Sequence, residues 1–397
     1  MRFAMVTTFY PPFHFGGDAM YAYRLTNALA RRGHEVLVVH SEDAYRALGG
    51  AEPTGTFLHE PGVTVVPLST AWPVGAATAT YLSGRPAFYG GQIGRALDGH
   101  FDVVHFHNIS LAGGPGVLGY GEGAKLYTTS EHWLVCPMHV LFRDNREPCT
   151  EPHCLRCTLA FRRPPQLWRY TDLLERAVPN VDLFLSPSRF TLEAHRERGF
   201  TAPMRHLPYF LPESDAAPAE PTTRDGPYFL FAGRLERLKG VQTLVEAFRS
   251  YRGADLLVVG DGEYRAELER LAAGLDHVRF LGRVHPSELR PLYAGAIATL
   301  VPSIGFEVFG IVLLESFAQR TPAIVHDLGA LPEVVNEANG GLVYRTPTEL
   351  VAALETLAGD RSRRGELGRN GYEAWQRLWT EDPHLDAYLG VVEELRA

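Results

Sequence analysis

Two stretches of this chain combine residue types that could handle a phosphate group and a polyhydroxylated partner. In Gly233-Arg234-Leu235-Glu236-Arg237-Leu238-Lys239-Gly240, Arg234 and Lys239 stand five apart just after an apolar run. Cations fixed there could neutralise charge developing on a diphosphate without a metal. Alone, the stretch could equally be a solvated basic turn. In Gly305-Phe306-Glu307-Val308-Phe309-Gly310-Ile311-Val312-Leu313-Leu314-Glu315, two carboxylates eight apart flank a glycine that opens an apolar helical run. Carboxylates accept hydrogen bonds from hydroxyls, and a helix start suits phosphate. A buried helix with an incidental glutamate would look similar. A third pattern is Gly16-Gly17 ahead of a helix beginning near Asp18, where backbone amides could approach an anion; most such pairs are simple turns.

All four cysteines fall in one segment, at positions 136, 149, 154 and 157. The Cys154-Leu155-Arg156-Cys157 spacing is that of a chelating knuckle, and Cys136 and Cys149 could complete a structural, tetrahedral zinc site. Free thiols are the alternative, as are disulfides in a compartment that allows them. His132, His139 and His153 are further ligand candidates. Arg156, Arg162, Arg163 and Arg169 follow with no acidic residue between them, interleaved with Phe161 and Trp168. Such a run could hold an anionic or lipid-linked partner, or be an arginine-rich solvated segment.

These patterns must be positioned by ordinary globular elements. The 397 residues are 45% hydrophobic and 21% charged, enough for two sizeable cores. Short β-branched runs alternate with helical patterns throughout, which predicts βαβ units with parallel sheets. In the first half the expected strands are Arg2–Thr8, Glu35–His40, Val63–Leu68, Val103–His107, Lys125–Thr129 and Leu183–Ser186. In the second they are Tyr228–Ala232, Asp255–Val259, Val278–Leu281, Ala298–Val301, Ala323–His326 and Gly341–Tyr344. The proline-rich stretch 208–227 reads as a linker. The expected organisation is therefore a doubly wound domain at 1–207 with a Cys-rich insertion at 136–157, the linker, a second doubly wound domain at 228–380, and a closing helix at 381–397.

The net charge of −8 is uneven. Residues 1–206 hold 19 basic and 18 acidic side chains, and the remainder 19 and 28. That balance argues against a nucleic-acid partner. No apolar run reaches the roughly 18 residues a membrane helix needs, and the start reads as a strand rather than a signal peptide, so a cytoplasmic location is expected, with peripheral membrane contact left open. Lysine occurs only at 125 and 239. An arginine-biased composition accounts for that, yet against such a bias both lysines stand out.

Taken jointly, the Gly-Arg-x4-Lys-Gly loop and the Glu-x7-Glu element resemble family 4 of the retaining glycosyltransferases. The likeness runs along nearly the whole chain, through Gly16-Gly17, Arg32-Gly33-His34-Glu35-Val36, Asp102-Val103-Val104-His105, Ser186-Pro187-Ser188, Val259-Gly260-Asp261-Gly262 and Thr321-Pro322. It implies the GT-B fold: two Rossmann-like domains facing a central cleft, with the acceptor on the first and the donor on the second. By position, Arg234 and Lys239 would hold the donor diphosphate, Glu307 the sugar hydroxyls and Glu315 the ribose. The amides of Phe309, Gly310 and Ile311 would line sugar and phosphate, with Gly16, Gly17 and Gly233 nearby, and backbone groups at Val284 would meet the base. The implied reaction transfers a sugar with retention from a UDP-sugar, or less expectedly a GDP-sugar, to a glycan, lipid-linked or small-molecule acceptor. No catalytic metal is expected, since no Asp-x-Asp motif occurs.

Three positions depart from the pattern. Tyr127-Thr128-Thr129-Ser130-Glu131-His132-Trp133-Leu134-Val135-Cys136-Pro137 resembles the family's Thr-x-His-Asp-x-Trp-x-x-Cys-Pro segment. Aligned on Trp133, it puts Ser130 where the family has the histidine that contacts the donor sugar, and Glu131 where it has aspartate. A hydroxyl matches neither the reach nor the proton chemistry of imidazole, and Glu131 or His132 would have to stand in. Arg320 replaces a glycine expected before Thr-Pro, where a left-handed helix stop would strain it. The rival readings are a non-catalytic nucleotide-sugar-binding homologue, and an epimerase or hydrolase of the same fold, which should lack the Glu307–Glu315 pair.

Overall fold

The computed structural model describes residues 1–53, 56–222 and 226–397; positions 223–225 of the expected linker lie outside the described residues. The chain divides into two compact units. One comprises Met1–His139, His153–Pro208 and His384–Ala397; the other comprises Val140–Pro152 and Tyr209–Pro383.

In the first unit the strands are β1 (Arg2–Val6), β2 (Glu35–Ser41), β3 (Val63–Leu68), β4 (His100–Phe106) and β5 (Glu122–Thr128). The two-residue strands β6 (Phe142–Arg143) and β7 (Glu147–Pro148) form a separate antiparallel hairpin in the second unit. The first sheet then resumes with β8 (Leu183–Ser186) and β9 (Met204–His206). Its order is β3-β2-β1-β4-β5-β8-β9, and every pair is parallel. The direction of winding reverses between β1 and β4. In such sheets the loops leaving the carboxyl ends of the two strands at the reversal diverge and leave a crevice.

The second unit repeats the device. Its strands β10 (Tyr228–Ala232), β11 (Asp255–Val259), β12 (Val278–Gly282), β13 (Thr299–Val301), β14 (Ala323–His326) and β15 (Gly341–Tyr344) take the order β12-β11-β10-β13-β14-β15, again all parallel. The reversal falls between β10 and β13. The loops leaving these two strands are the Gly233–Gly240 and Pro302–Gly310 segments. Strands buried on both faces read as continuous apolar runs, and β10 and β11 are buried along almost their whole length.

Packing explains several turns. The helix Ile311–Ala318 ends at Gln319, and Arg320 takes a left-handed φ of 58°. The strain expected there is present, and it has a compensation: the Arg320 guanidinium lies 3.7 Å from the centre of the Tyr372 ring. Gly368 makes room for this turn, since a Cβ on it would stand 2.1 Å from Arg320 O. The last helix, Glu381–Arg396, buries His384, Leu385, Tyr388, Val391 and Val392, and its residues from His384 onward belong to the first unit. Among the described residues, no helix is long and apolar enough to cross a membrane.

Candidate active site

The second-unit site is built where the β10 and β13 loops leave the sheet. The β10 loop is held open by glycines that no other residue could replace without displacement. A Cβ on Gly260 would stand 1.8 Å from Gly233 O, and one on Gly262 would stand 2.4 Å from Leu235 O. Leu235 N donates to Asp261 O at 2.9 Å, fastening the loop to the turn after β11. Gly240, with φ 75°, fits only because it lacks a Cβ that would meet Pro302 O at 1.9 Å. The β13 loop is tied on next: Ile304 N and Gly305 N both donate to Leu238 O, at 2.9 and 3.0 Å.

This backbone brings Lys239 and Glu307 together. Lys239 Nζ donates to Glu307 Oε1 at 2.7 Å, and Ser303 Oγ donates to the same oxygen at 2.7 Å. Burial alone would raise the Glu307 carboxyl, but the Lys239 charge and the two hydrogen bonds outweigh it and hold the group below its usual value. An ammonium has three donors, so Lys239 can serve this carboxylate and an incoming phosphate at once. Arg234 is ion-paired with Glu236 and about half-exposed. The structure thus brings Lys239 to Glu307 and gives Arg234 a different carboxylate partner.

Gly310 caps the helix Ile311–Ala318 with φ 91° and, being glycine, makes no side-chain capping hydrogen bond to its first amides. Phe309 is buried edge-on against Tyr209 and Trp379, fixing where that turn begins. Glu315 lies one turn along the helix and accepts a hydrogen bond from Tyr293 Oη at 2.9 Å. Val284 packs under β10 with the cluster around Tyr228 and Tyr293. Sequence reasoning missed Ser303 and Tyr293. The Ser-x3-Glu spacing before Glu307 was the available signal for the first, and nothing local marks the second.

In the first unit, the loops after β1, β4 and β5 converge on a second cluster. Gly16 is extended and precedes the helix Gly17–Arg31, which carries Asp18 in its first turn. Asn108 Nδ2 donates to Asp18 Oδ2 at 3.3 Å and to Glu131 Oε2 at 3.2 Å. His139 Nδ1 meets the same Glu131 oxygen at 2.5 Å. Burial first, and the Glu131 charge second, push the Asp18 carboxyl up. His139 has φ 70°, a left-handed backbone unusual for a side chain of this size. Asn108 and the pairing of His139 with Glu131 had no signal in the sequence beyond residue type.

Ser130 is buried, and among the described residues its Oγ has no hydrogen-bond partner. His132 is fully buried, edge-on to Phe190 and beside His195. Glu131, paired with His139, is the neighbour that reaches a polar cluster.

Among the described residues, no group of three or more His, Cys, Asp or Glu side chains is placed to hold a metal. Cys154 and Cys157 share one turn of the helix Cys154–Ala160, whereas Cys149 lies in the β6–β7 segment assigned to the other unit. Among the described residues, Cys136, Cys149, Cys154 and Cys157 form no group of three or more placed to hold a metal. Of the arginine run, Arg169 is not solvated. It stacks over Trp133 and Trp168 at 5.0 and 4.6 Å and donates to Trp133 O at 2.7 Å.

Comparison with known proteins gives the family. The profile of the glycosyl transferases group 1 matches residues 214–374, and that of the glycosyl transferase 4-like domain matches residues 16–209. A D-inositol 3-phosphate glycosyltransferase of Xylanimonas cellulosilytica is 29% identical over 92% of this chain and 89% of its own length. Three relatives of 31–36% identity are matched over only 37–51% of their length. Among solved structures, sucrose-phosphate synthase from Thermosynechococcus elongatus superposes with a TM-score of 0.75 at 21% identity, covering 99% of this chain and 98% of that one. An Anabaena protein solved with UDP gives 0.69 at 15% identity, covering 99% and 100%. With both profiles matched in tandem along a chain of this topology, the protein belongs to family 4 of the glycosyltransferases, with the GT-B fold.

Proposed function

We propose that this protein is a retaining glycosyltransferase that moves a sugar from a nucleotide diphosphate sugar, UDP- before GDP-, to an acceptor hydroxyl without a divalent metal. The observation that carries the reading is the Lys239–Glu307 pair, 2.7 Å apart where the β10 and β13 loops are joined. A cation there faces the two demands of a donor: a diphosphate that gains charge on leaving, and sugar hydroxyls that need acceptors. Lys239 and Arg234 neutralise the departing diphosphate, Glu307 binds the sugar and Glu315 the ribose. Arg234 keeps donors to spare beyond Glu236, since a guanidinium has five. The leaving phosphate takes the acceptor's proton as the new bond forms on the same face. UDP is favoured because a protein of the same fold was solved holding it.

The test is release of UDP from a UDP-hexose in the presence of a chelator. Turnover should persist, and Lys239→Ala should lower it more than tenfold, above about 1.4 kcal/mol of barrier. Turnover abolished by chelation, with the fold intact by circular dichroism, would overturn metal independence. Ser130 motivates one second reading, a non-catalytic nucleotide-sugar-binding homologue. That reading predicts UDP binding, measured calorimetrically, with no turnover on any donor.

A further inference from the structure

Donor chemistry leaves one face of the first unit unexplained. Of the ten large hydrophobic side chains exposed among the described residues, eight lie within 72–88 or 155–170. The two stretches adjoin: Trp168 Nε1 donates to Tyr81 O at 3.0 Å, and Tyr81 Oη donates to Pro164 O at 2.9 Å. On one side, the helix Pro73–Ser83 carries no charge and turns Leu82 outward. Trp72 precedes that helix, and its ring meets the exposed Phe88 with centres 6.2 Å apart. On the other side, Leu159, Leu167 and Tyr170 are 60–67% exposed. Scattered exposed leucines need no explanation, but a concentration of this kind marks an interaction surface.

Charge identifies the partner. Residues 61–97 and 152–171 contain no Asp or Glu, although the chain carries −8 overall. Arg85, Arg156, Arg162 and Arg163 are exposed on these same stretches. A lipid interface satisfies both features together: anionic headgroups take the guanidinium groups, and the acyl boundary takes Trp, Leu and Phe. An acidic protein surface would pair the arginines but leave the protruding aromatic groups in water.

We propose that this face, formed by residues 72–88 and 155–170, docks the protein on an anionic lipid surface. Partition onto vesicles needs neither donor nor turnover, so its failure would leave the glycosyl-transfer reading standing. The experiment is co-sedimentation of the full chain with vesicles of phosphatidylcholine alone and of phosphatidylcholine with equimolar phosphatidylglycerol. Binding should be about tenfold stronger to the anionic vesicles and should weaken in high salt. Arg162→Glu with Arg163→Glu should remove at least about tenfold of that binding, and Trp72→Ser with Leu159→Ser should also reduce it. Both variants should retain the parent's UDP affinity and thermal midpoint, which separates lost docking from lost folding. Three results would overturn the proposal: no partition onto anionic vesicles, equal partition onto both kinds, or a dimer in solution that Leu159→Ser dissociates. The last would assign the face to a second copy of the chain.

Discussion

At the scale of single residues, Ser130 is the position where the sequence motif leads one to expect a departure from the family pattern that chemistry can feel. Its hydroxyl is buried and, among the described residues, has no partner. A buried hydroxyl left unmatched is costly unless something arrives to satisfy it. If that something is a hexose, imidazole should serve better, because it reaches further and can both donate and accept. Ser130→His is therefore expected to raise turnover on a UDP-hexose severalfold with UDP affinity unchanged, since the proposed phosphate contacts come from Lys239 and Arg234. Steady-state kinetics alongside calorimetric UDP binding would check it. No gain with the hexose, together with sound turnover of a pentose or 6-deoxy donor, would instead mean that the native donor lacks a 6-hydroxyl. Arg320 is the contrasting case. The sequence exposes its strain, because only the left-handed helix stop has to be known. It hides the relief, because Tyr372 lies 52 positions away and finds Arg320 only through packing of the helix Arg361–Leu378.

At the scale of elements, the second-unit site depends on three loops packed backbone to backbone. The glycine contacts say which residue controls them. Gly260 has φ 129° and would place a Cβ 1.8 Å from Gly233 O, so nothing short of moving the β10 loop admits a side chain. Gly260→Ala should thus lower both the thermal midpoint and UDP affinity. Gly274→Ala makes the control: φ 81°, with nothing within 4 Å of its Cβ. That change should cost about 1–2 kcal/mol of backbone strain and leave UDP affinity alone. Equal loss of affinity in both variants would mean that the loop contacts are not what shapes the site.

The same comparison shows what could be read beforehand. Strands such as Tyr228–Ala232, Asp255–Val259 and Ala323–His326 agree residue for residue with the expected runs, because burial on both faces writes itself as near-continuous apolar sequence. Met204–His206 was missed, as a three-residue edge strand holding one apolar side chain carries no period. Within the site, each motif was legible, but the joining of Ile304 and Gly305 to Leu238 O was not. The Asp18, Asn108, Glu131 and His139 cluster was illegible for a related reason. Its members come from the segments after three different strands, β1, β4 and β5, and only the folding of the first sheet gathers them.

At the scale of the whole molecule, the buried histidines set how the fold responds to acid. Burial pulls His107 down to about 3, and His40, His195 and His384 to about 4. In the unfolded chain each should titrate near 6.5. Between these values the unfolded state binds more protons than the native one, so stability rises with pH there. Their contribution is complete above about pH 6.5 and is lost as pH falls towards 4. One histidine contributes a slope of about 1.4 kcal/mol per pH unit, and four together about 5, against a total stability of roughly 5–15 kcal/mol. Lowered carboxylates such as Glu307 add to the loss at still lower pH, whereas the raised Asp18 works against it. The fold should therefore fail well above pH 4. His107 allows a clean test, because neither ring nitrogen has a partner among the described residues and its ring lies tilted against His105 with centres 4.2 Å apart. His107→Phe keeps an aromatic ring against His105 and orphans no polar atom. In urea titrations at pH 7.5, 6.0 and 5.0 the parent should lose stability steeply below pH 6.5. The variant should lose about 2 kcal/mol less by pH 5, one proton's share over that interval. A parent with a flat midpoint from pH 7.5 to 5.0, or a variant whose acid slope matches the parent's, would show that these histidines bind their protons without unfolding.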